Sequence, residues 1–138
     1  MQEEILVHVR GMAPIPWGGG EETWRRKLAH EARLVRVKKV IQGSSASTHF
    51  SVDIVFFMAQ SHVERADLDN LAKPILDTLF RSRNPQVKDL SLTGALFDVD
   101  DDRVFKLTLE KRLVPVSTEE GVEISITIHE ERTVIPEL

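Results

Sequence analysis

Two acidic stretches contain the residue types in this chain that could do chemistry. The first is Asp67-Leu68-Asp69-Asn70-Leu71-Ala72-Lys73, and about thirty residues later comes Asp98-Val99-Asp100-Asp101-Asp102-Arg103-Val104. Each lies where a regular element is predicted to begin or end. Carboxylates from two separated segments, with a lysine nearby, are what Mg²⁺-dependent hydrolysis of a phosphodiester needs. The sequence therefore indicates a metal-dependent enzyme that acts on phosphodiesters.

The charge arrangement of the first stretch favours a bound cation. Asp67 and Asp69 flank Leu68 in what is predicted to be extended chain, so their side chains should point the same way, roughly 6–7 Å apart. Two such charges repel by about 0.6 kcal/mol in water and about 2.5 kcal/mol at an effective dielectric of 20. A third carboxylate from the segment 98–102 increases that repulsion unless a cation joins the group.

Helix capping is the alternative interpretation of the same residues. Asp69 or Asn70 would cap the helix that follows, and the later aspartates would form a solvated turn. Capping accounts for one acid, but it does not account for Asp67 as well. It also leaves Lys73 in the first turn, where the helix dipole disfavours a cation. From the residues alone, both interpretations stay open.

A calcium-binding loop is excluded by its own spacing rule. The pattern Asp98-x-Asp100-x-Asp102 begins like such a loop, which then needs glycine at its sixth position and glutamate at its twelfth. Here those positions hold Arg103 and Leu109.

The elements that must position these residues follow from hydrophobic periodicity. A chain of 138 residues, 41% apolar and 29% charged, fits one globular domain. Because proline is tolerated in a helix's first turn, Pro74 places the start of a helix near Asn70 or Leu71. Alternation and helical spacing predict a strand over 5–10, a helix from 21 to about 41, a flexible break over 43–47, a strand over 49–58, that second helix, a loop over 81–93, and strands over 104–112 and 122–130 paired as an antiparallel hairpin. The order β-α-β-α-β-β indicates a single α+β domain with two helices on one face of a mixed four-stranded sheet.

Composition bears on location and partners. The chain has no cysteine, which excludes disulfides and thiolate metal sites. The absence of cysteine also indicates a cytoplasmic protein, and since no apolar run approaches a membrane span we expect no membrane partner. The net charge of −4 argues weakly against a nucleic-acid partner. However, two Mg²⁺ ions would add about four positive charges, and basic residues are concentrated between Trp24 and Lys39.

The two acidic stretches together resemble the RusA family of Holliday-junction resolvases. In that family a D-x-D-N-x-x-K segment begins a helix, and a D-D-x-[QR]-V segment leads into a strand that closes on lysine. Here Asp67 to Lys73 matches the first segment. Asp100-Asp101-Asp102-Arg103-Val104, with the strand ending at Lys111, matches the second. The resemblance covers about Val52 to Ile128.

The resemblance implies a site and an activity. Asp67, Asp69 and Asp101 would be metal ligands for Mg²⁺, with Mn²⁺ as a substitute, and Lys73 would be the essential lysine. Because the connection between the two segments is long, Asp100 or Asp102 is an alternative third ligand. The implied activity is structure-selective cleavage of branched DNA in recombination and repair, by a homodimer in which each subunit nicks one strand.

Contacts to DNA are expected from basic residues on the first helix and around the acidic stretches. The expected set is Arg25, Arg26, Lys27, Arg33, Arg65, Lys73 and Lys111. Trp17 and Trp24 could stack on a base, although Trp24 lies on the apolar stripe and is better assigned to the core. Asp77 follows the family pattern, and we expect it to serve solubility or to pair with Arg81.

Two rival functions remain open at this stage. One is a module that binds branched DNA without cleaving it. The other is a small metal-dependent phosphoesterase acting on nucleotides or other small phosphates.

Overall fold

The computed structural model describes residues 3–36, 48–64, 66–85 and 87–130. It confirms the predicted α+β class, with a mixed four-stranded sheet and two helices in one domain. The elements are β1 (Glu3–Arg10), α1 (Glu22–Val35), β2 (Thr48–Ala59), α2 (Leu68–Leu79), β3 (Val104–Val114) and β4 (Gly121–Glu130). Short 3-10 turns occupy 90–92, 101–103 and 117–119.

The strand order β1-β4-β2-β3 shows that the predicted hairpin of the last two strands is wrong. β3 lies at the sheet edge and pairs in parallel with β2, whereas β4 lies between β1 and β2 and is antiparallel to both. The side chains explain the arrangement. β4 presents four buried apolar residues to the core, between Val122 and Ile128. A position between two other strands keeps this strand away from the edge of the sheet, where its apolar side chains would be less well covered. β3 carries charged residues along much of its length, which suits an edge strand.

The core lies between the two helices and one face of the sheet. Alternate residues of three strands are buried there, for example Val7, Ile54 and Ile124. Trp24 and Leu28 contribute from α1, and α2 contributes its own apolar stripe. Trp24 is fully buried, so its assignment to the core is confirmed. Among the described residues, no helix is both long enough and apolar enough to cross a bilayer.

Both helices differ from their predicted limits. α1 ends at Val35, and the remainder of its predicted extent, like the expected break at 43–47, lies outside the described residues. α2 begins at Leu68, two residues before Asn70, so Pro74 lies inside the helix and not in its first turn. The missing N–H of Pro74 leaves the carbonyl of Asn70 without its usual helical donor, and burial of the apolar Pro74 ring offsets that loss.

Candidate active site

The first acidic stretch forms the start of α2. Asp67 is the residue before the helix, with an extended backbone (φ −68°, ψ 158°), and its side chain makes no capping hydrogen bond. Asp69 lies in the first turn of the helix. The expectation that both acids flank an extended residue is therefore wrong, because the helix begins between them at Leu68. Both side chains are exposed, and capping does not engage the carboxylate of Asp67.

Lys73 is exposed on α2 and connects two cavities. It lies in the second turn of the helix, not in the first as the sequence had indicated. One cavity of about 600 Å³, here called the aromatic pocket, is lined by Trp17, Glu64, Asp67, Asn70 and Lys73. A second cavity of about 380 Å³, here called the acidic pocket, is lined by Lys73, Asp77, Arg83, Asp100, Asp101 and Asp102. Lys73 therefore stands between the carboxylates of the two stretches.

The second acidic stretch is held in a defined conformation. Asp100 caps the 3-10 turn at 101–103 by accepting a hydrogen bond from the backbone N–H of Asp102 (3.1 Å). Its carboxylate also pairs with Arg83 at 2.8 Å. Just before it, Asp98 pairs with Arg81 at 2.7 Å. The carboxylates of Asp98 and Asp100 therefore help to fix the conformation of the segment 98–103.

Asp101 has a perturbed carboxyl group. Burial, a hydrogen bond with Asp100 and the charges of Asp100, Asp77 and Asp102 together raise the pKa of Asp101 to about 6. Burial also acts on Asp100, but its bonds with Asp101, the Asp102 backbone and Arg83 leave the Asp100 pKa lowered. Opposite shifts of two neighbouring carboxyl groups are expected where carboxylates crowd together, because the second charge is harder to form.

Asp77 is a part of the site that the sequence analysis missed. It is buried, 5% exposed, rather than solvating the helix or pairing with Arg81. Its carboxylate accepts hydrogen bonds from Trp17 Nε1 (3.0 Å), Ser82 Oγ (2.9 Å) and Asn84 Nδ2 (2.9 Å). The available signal was the spacing, because Asp77 follows Lys73 by four positions and so lies on the same side of the helix.

The donor chemistry of these pockets fits a hard divalent cation, since carboxylate oxygens are the ligands that Mg²⁺ prefers. Among the described residues, however, no group of three or more Asp, Glu, His or Cys side chains is already gathered to hold an ion. Asp67 lines one pocket and Asp101 the other. The ligand set Asp67, Asp69 and Asp101, with Asp100 or Asp102 as substitute, stays a prediction.

Arg25 does not serve as the DNA contact that was expected. It is buried, 4% exposed, and donates to Thr78 Oγ1 (2.9 Å) and to the Leu92 carbonyl (2.6 Å). Its guanidinium carbon also lies 4.4 Å from the ring centroid of Trp17. Burial lowers the pKa of Arg25, against the opposing effect of Asp77 and other nearby acids. The residue ties α1 to α2 and to the loop before Asp98.

Lys111 is likewise committed to the protein. Its ammonium donates to the carbonyls of Val63 (2.7 Å) and Ala66 (2.6 Å). The contact fixes the segment that leads directly into Asp67. The expected contact of Lys111 with DNA stays a prediction.

The other expected DNA contacts on α1 are exposed and lie in ion pairs or hydrogen bonds. Arg26 pairs with Glu22 (2.6 Å) and Asp89 (3.1 Å). Lys27 pairs with Glu31 at 3.1 Å, and Arg33 donates to the carbonyl of Ser91. Their contact with DNA stays a prediction. Arg65 lies outside the described residues.

Comparison of the chain with protein-family models and with curated proteins finds no match.

Proposed function

We propose that the protein is a Mg²⁺-dependent, structure-selective endodeoxyribonuclease of the RusA type, which cleaves branched DNA such as four-way junctions. The observation that carries the proposal is the position of Lys73. Its side chain borders both the pocket that contains Asp67 and the pocket that contains Asp101. The pockets of the two motifs therefore lie on either side of the Lys73 ammonium, which would hold a phosphate.

The charge state of Asp101 supports a cation site. A carboxyl group whose pKa is raised to about 6 by burial and by neighbouring acids lies where the nearby carboxylates outweigh the positive charge of Lys73 and Arg83. A divalent ion would add positive charge there. When bound by Asp67 and Asp101, Mg²⁺ would provide Lewis acidity toward the phosphate.

The protein's own residues have distinct roles in this proposal. Lys73 binds a non-bridging phosphate oxygen and stabilises the charge that develops on it. Arg83 pairs with Asp100 at 2.8 Å and so helps to fix the loop that carries Asp101. Asp77 and Lys111 order the segments that flank the two pockets. We further propose a homodimer that makes paired nicks, and a role in DNA recombination and repair.

A junction-cleavage assay tests the proposal. We expect nicking of a synthetic four-way junction with Mg²⁺ and none with EDTA. Asp69→Asn and Asp101→Asn should each lower the cleavage rate by a factor of roughly 100 or more, since each removes a ligand charge, while junction binding persists. Asp53→Asn, an exposed aspartate on β2 remote from both motifs in sequence, is the matched control and should cleave normally.

Other outcomes identify the rival functions. Cleavage that needs no divalent ion, or full activity in Asp69→Asn, would refute the nuclease proposal. Junction binding without cleavage, and without carboxylate-dependent Mg²⁺ binding in calorimetry, would identify a binding module. Faster turnover of a nucleotide than of the junction would identify a phosphoesterase.

A further inference from the structure

We propose that the aromatic pocket is a subsite for one unpaired nucleotide beside the cleaved phosphate, with its base against Trp17 and its phosphate at Lys73. The inference rests on the proposed function and adds what the enzyme recognises. It predicts that the protein reads a base that has left its stack, and not only the shape of the junction.

The Trp17 side chain is held rigidly. Its Nε1 donates to the buried carboxylate of Asp77 at 3.0 Å. The Arg25 guanidinium lies over one face of the ring at 4.4 Å, and that cation is anchored in turn by Thr78. Trp17 is partly exposed and lines the aromatic pocket, so part of this fixed indole is open to a ligand. Rigid aromatic surfaces bind bases with little loss of side-chain entropy.

The other walls of the pocket suit a nucleotide better than a simple anion. Lys73 offers one cation, Glu64 offers a carboxylate acceptor and Asn70 offers an amide, and Asp67 adds a second carboxylate, which the proposed function assigns to the metal. Two carboxylates repel a bare phosphate ion. A nucleotide presents a flat base whose amino and imino groups can donate to those acceptors, along with a single phosphodiester charge for Lys73.

The position of Lys73 fixes the direction in which the nucleotide lies. The same side chain lines the acidic pocket with Asp101, so a phosphate at Lys73 has the aromatic pocket on one side and the acidic loop on the other. A base in the aromatic pocket thus belongs to a nucleotide next to that phosphate. Bases in a continuous duplex are stacked and cannot enter, whereas those at a branch point unstack at lower cost.

Binding measurements with two Trp17 variants test the proposal. In EDTA, with a four-way junction, Trp17→Ala should raise Kd roughly 5- to 140-fold, the range given by losing one base–aromatic stack. Trp17→Phe keeps an aromatic face but loses the bond to Asp77, so it should bind within a few-fold of the parent. If Trp17→Phe weakens binding as much as Trp17→Ala, or if neither weakens it, the subsite is wrong.

Fluorescence distinguishes direct contact between Trp17 and a base from a purely structural role of Trp17, because only direct contact should change the emission on binding. Junction binding should quench the emission of the parent, and the quench should disappear in Trp17→Phe, whose remaining Trp24 is fully buried. A 2-aminopurine placed at the branch point should change its emission on binding, whereas the same base within a duplex arm should not. Equal responses at both places would overturn the proposal.

Failure of the subsite and failure of the proposed function give different results. Suppose that Mg²⁺-dependent junction cleavage is abolished by Asp69→Asn, and that Trp17→Ala leaves both cleavage and the junction Kd unchanged. This result would refute the subsite and support the nuclease. Conversely, the protein could fail to cleave any junction while an oligothymidylate still quenches Trp17 fluorescence. That result would support the subsite and refute the nuclease.

Discussion

At the scale of single residues, Asp101 is the most informative group because its environment is costly without a cation. Its pKa is raised from 3.8 to about 6 by burial and by the acids around it. Between those two values the folded protein holds a proton that the unfolded chain has released. The contribution of Asp101 to the free energy of unfolding therefore falls as pH rises through this window, and the loss of that contribution is complete above about pH 6.

Asp101→Asn removes that cost and gives a prediction about stability. Without metal, we expect its Tm to exceed that of the parent by a few degrees at pH 7, and the difference should shrink as pH falls toward 4. Adding Mg²⁺ at pH 7 should stabilise the parent and not the variant. Thermal melts at several pH values, with Asp53→Asn as control, make the comparison. A Tm difference that grows toward low pH would contradict the assigned pKa.

Asp77 illustrates what sequence alone cannot supply at this scale. Its spacing from Lys73 was visible, but an aspartate on a helix is most often solvated. Only tertiary packing brings Trp17, Ser82 and Asn84 around it. The same holds for Arg25, whose place in a run of basic residues suggested DNA contact and whose burial depends on α1 packing against the segment that follows α2.

At the scale of elements, the contact between β3 and the segment before α2 links the sheet to the site. Lys111 on β3 reaches two carbonyls just upstream of Asp67. A hydrogen bond from a charged donor is typically worth about 1.5–3 kcal/mol. Part of that is lost here to solvent because the side chain is only half-buried.

Lys111→Met should loosen this segment without unfolding the sheet. We expect about 1–3 kcal/mol of destabilisation and faster hydrogen exchange in peptides that cover Val63 and Ala66. Exchange in β2 and β4 should change little. Mg²⁺ affinity should fall several-fold because Asp67 follows directly. Lys106→Met, an exposed lysine on the same strand, is the control; equal effects from both variants would show that the two carbonyl contacts are unimportant.

The errors in element prediction have physical causes. The start of α2 was placed late because Pro74 was assumed to need the first turn, whereas the buried packing of this helix outweighs one missing hydrogen bond. The hairpin was inferred because the last two strands are close in sequence. Pairing depends instead on burial, because the most apolar strands take interior positions in the sheet. The charged residues Lys106, Glu110 and Arg112 were a visible indication that β3 lies at an edge.

At the scale of the whole molecule, β4 holds the sheet together, since it pairs with β1 on one side and with β2 on the other. Gly121 begins this strand opposite Arg10. A Cβ atom added there would lie 2.1 Å from the carbonyl oxygen of Val9, which is too close for any heavy atom and belongs to backbone that cannot rotate away.

Gly121→Ala should therefore destabilise the fold globally, by about 3 kcal/mol or more. Urea unfolding followed by circular dichroism measures the effect. Ser125→Ala, further along the same strand, loses only an exposed hydrogen bond to Glu4 and should change stability by less than about 1 kcal/mol. A Gly121→Ala protein as stable as the Ser125→Ala protein would mean that β1 and β4 separate without cost.

The place of β4 also sets the timing of folding on the ribosome. β1 ends at Arg10, but its neighbour in the described sheet begins only at Gly121. At about 5–20 residues per second, synthesis takes roughly five to twenty seconds to bridge that interval. For that time the apolar side chains of Ile5, Val7 and Val9 leave the exit tunnel without a strand to join, so a nascent chain halted before Gly121 should be a strong target for chaperones.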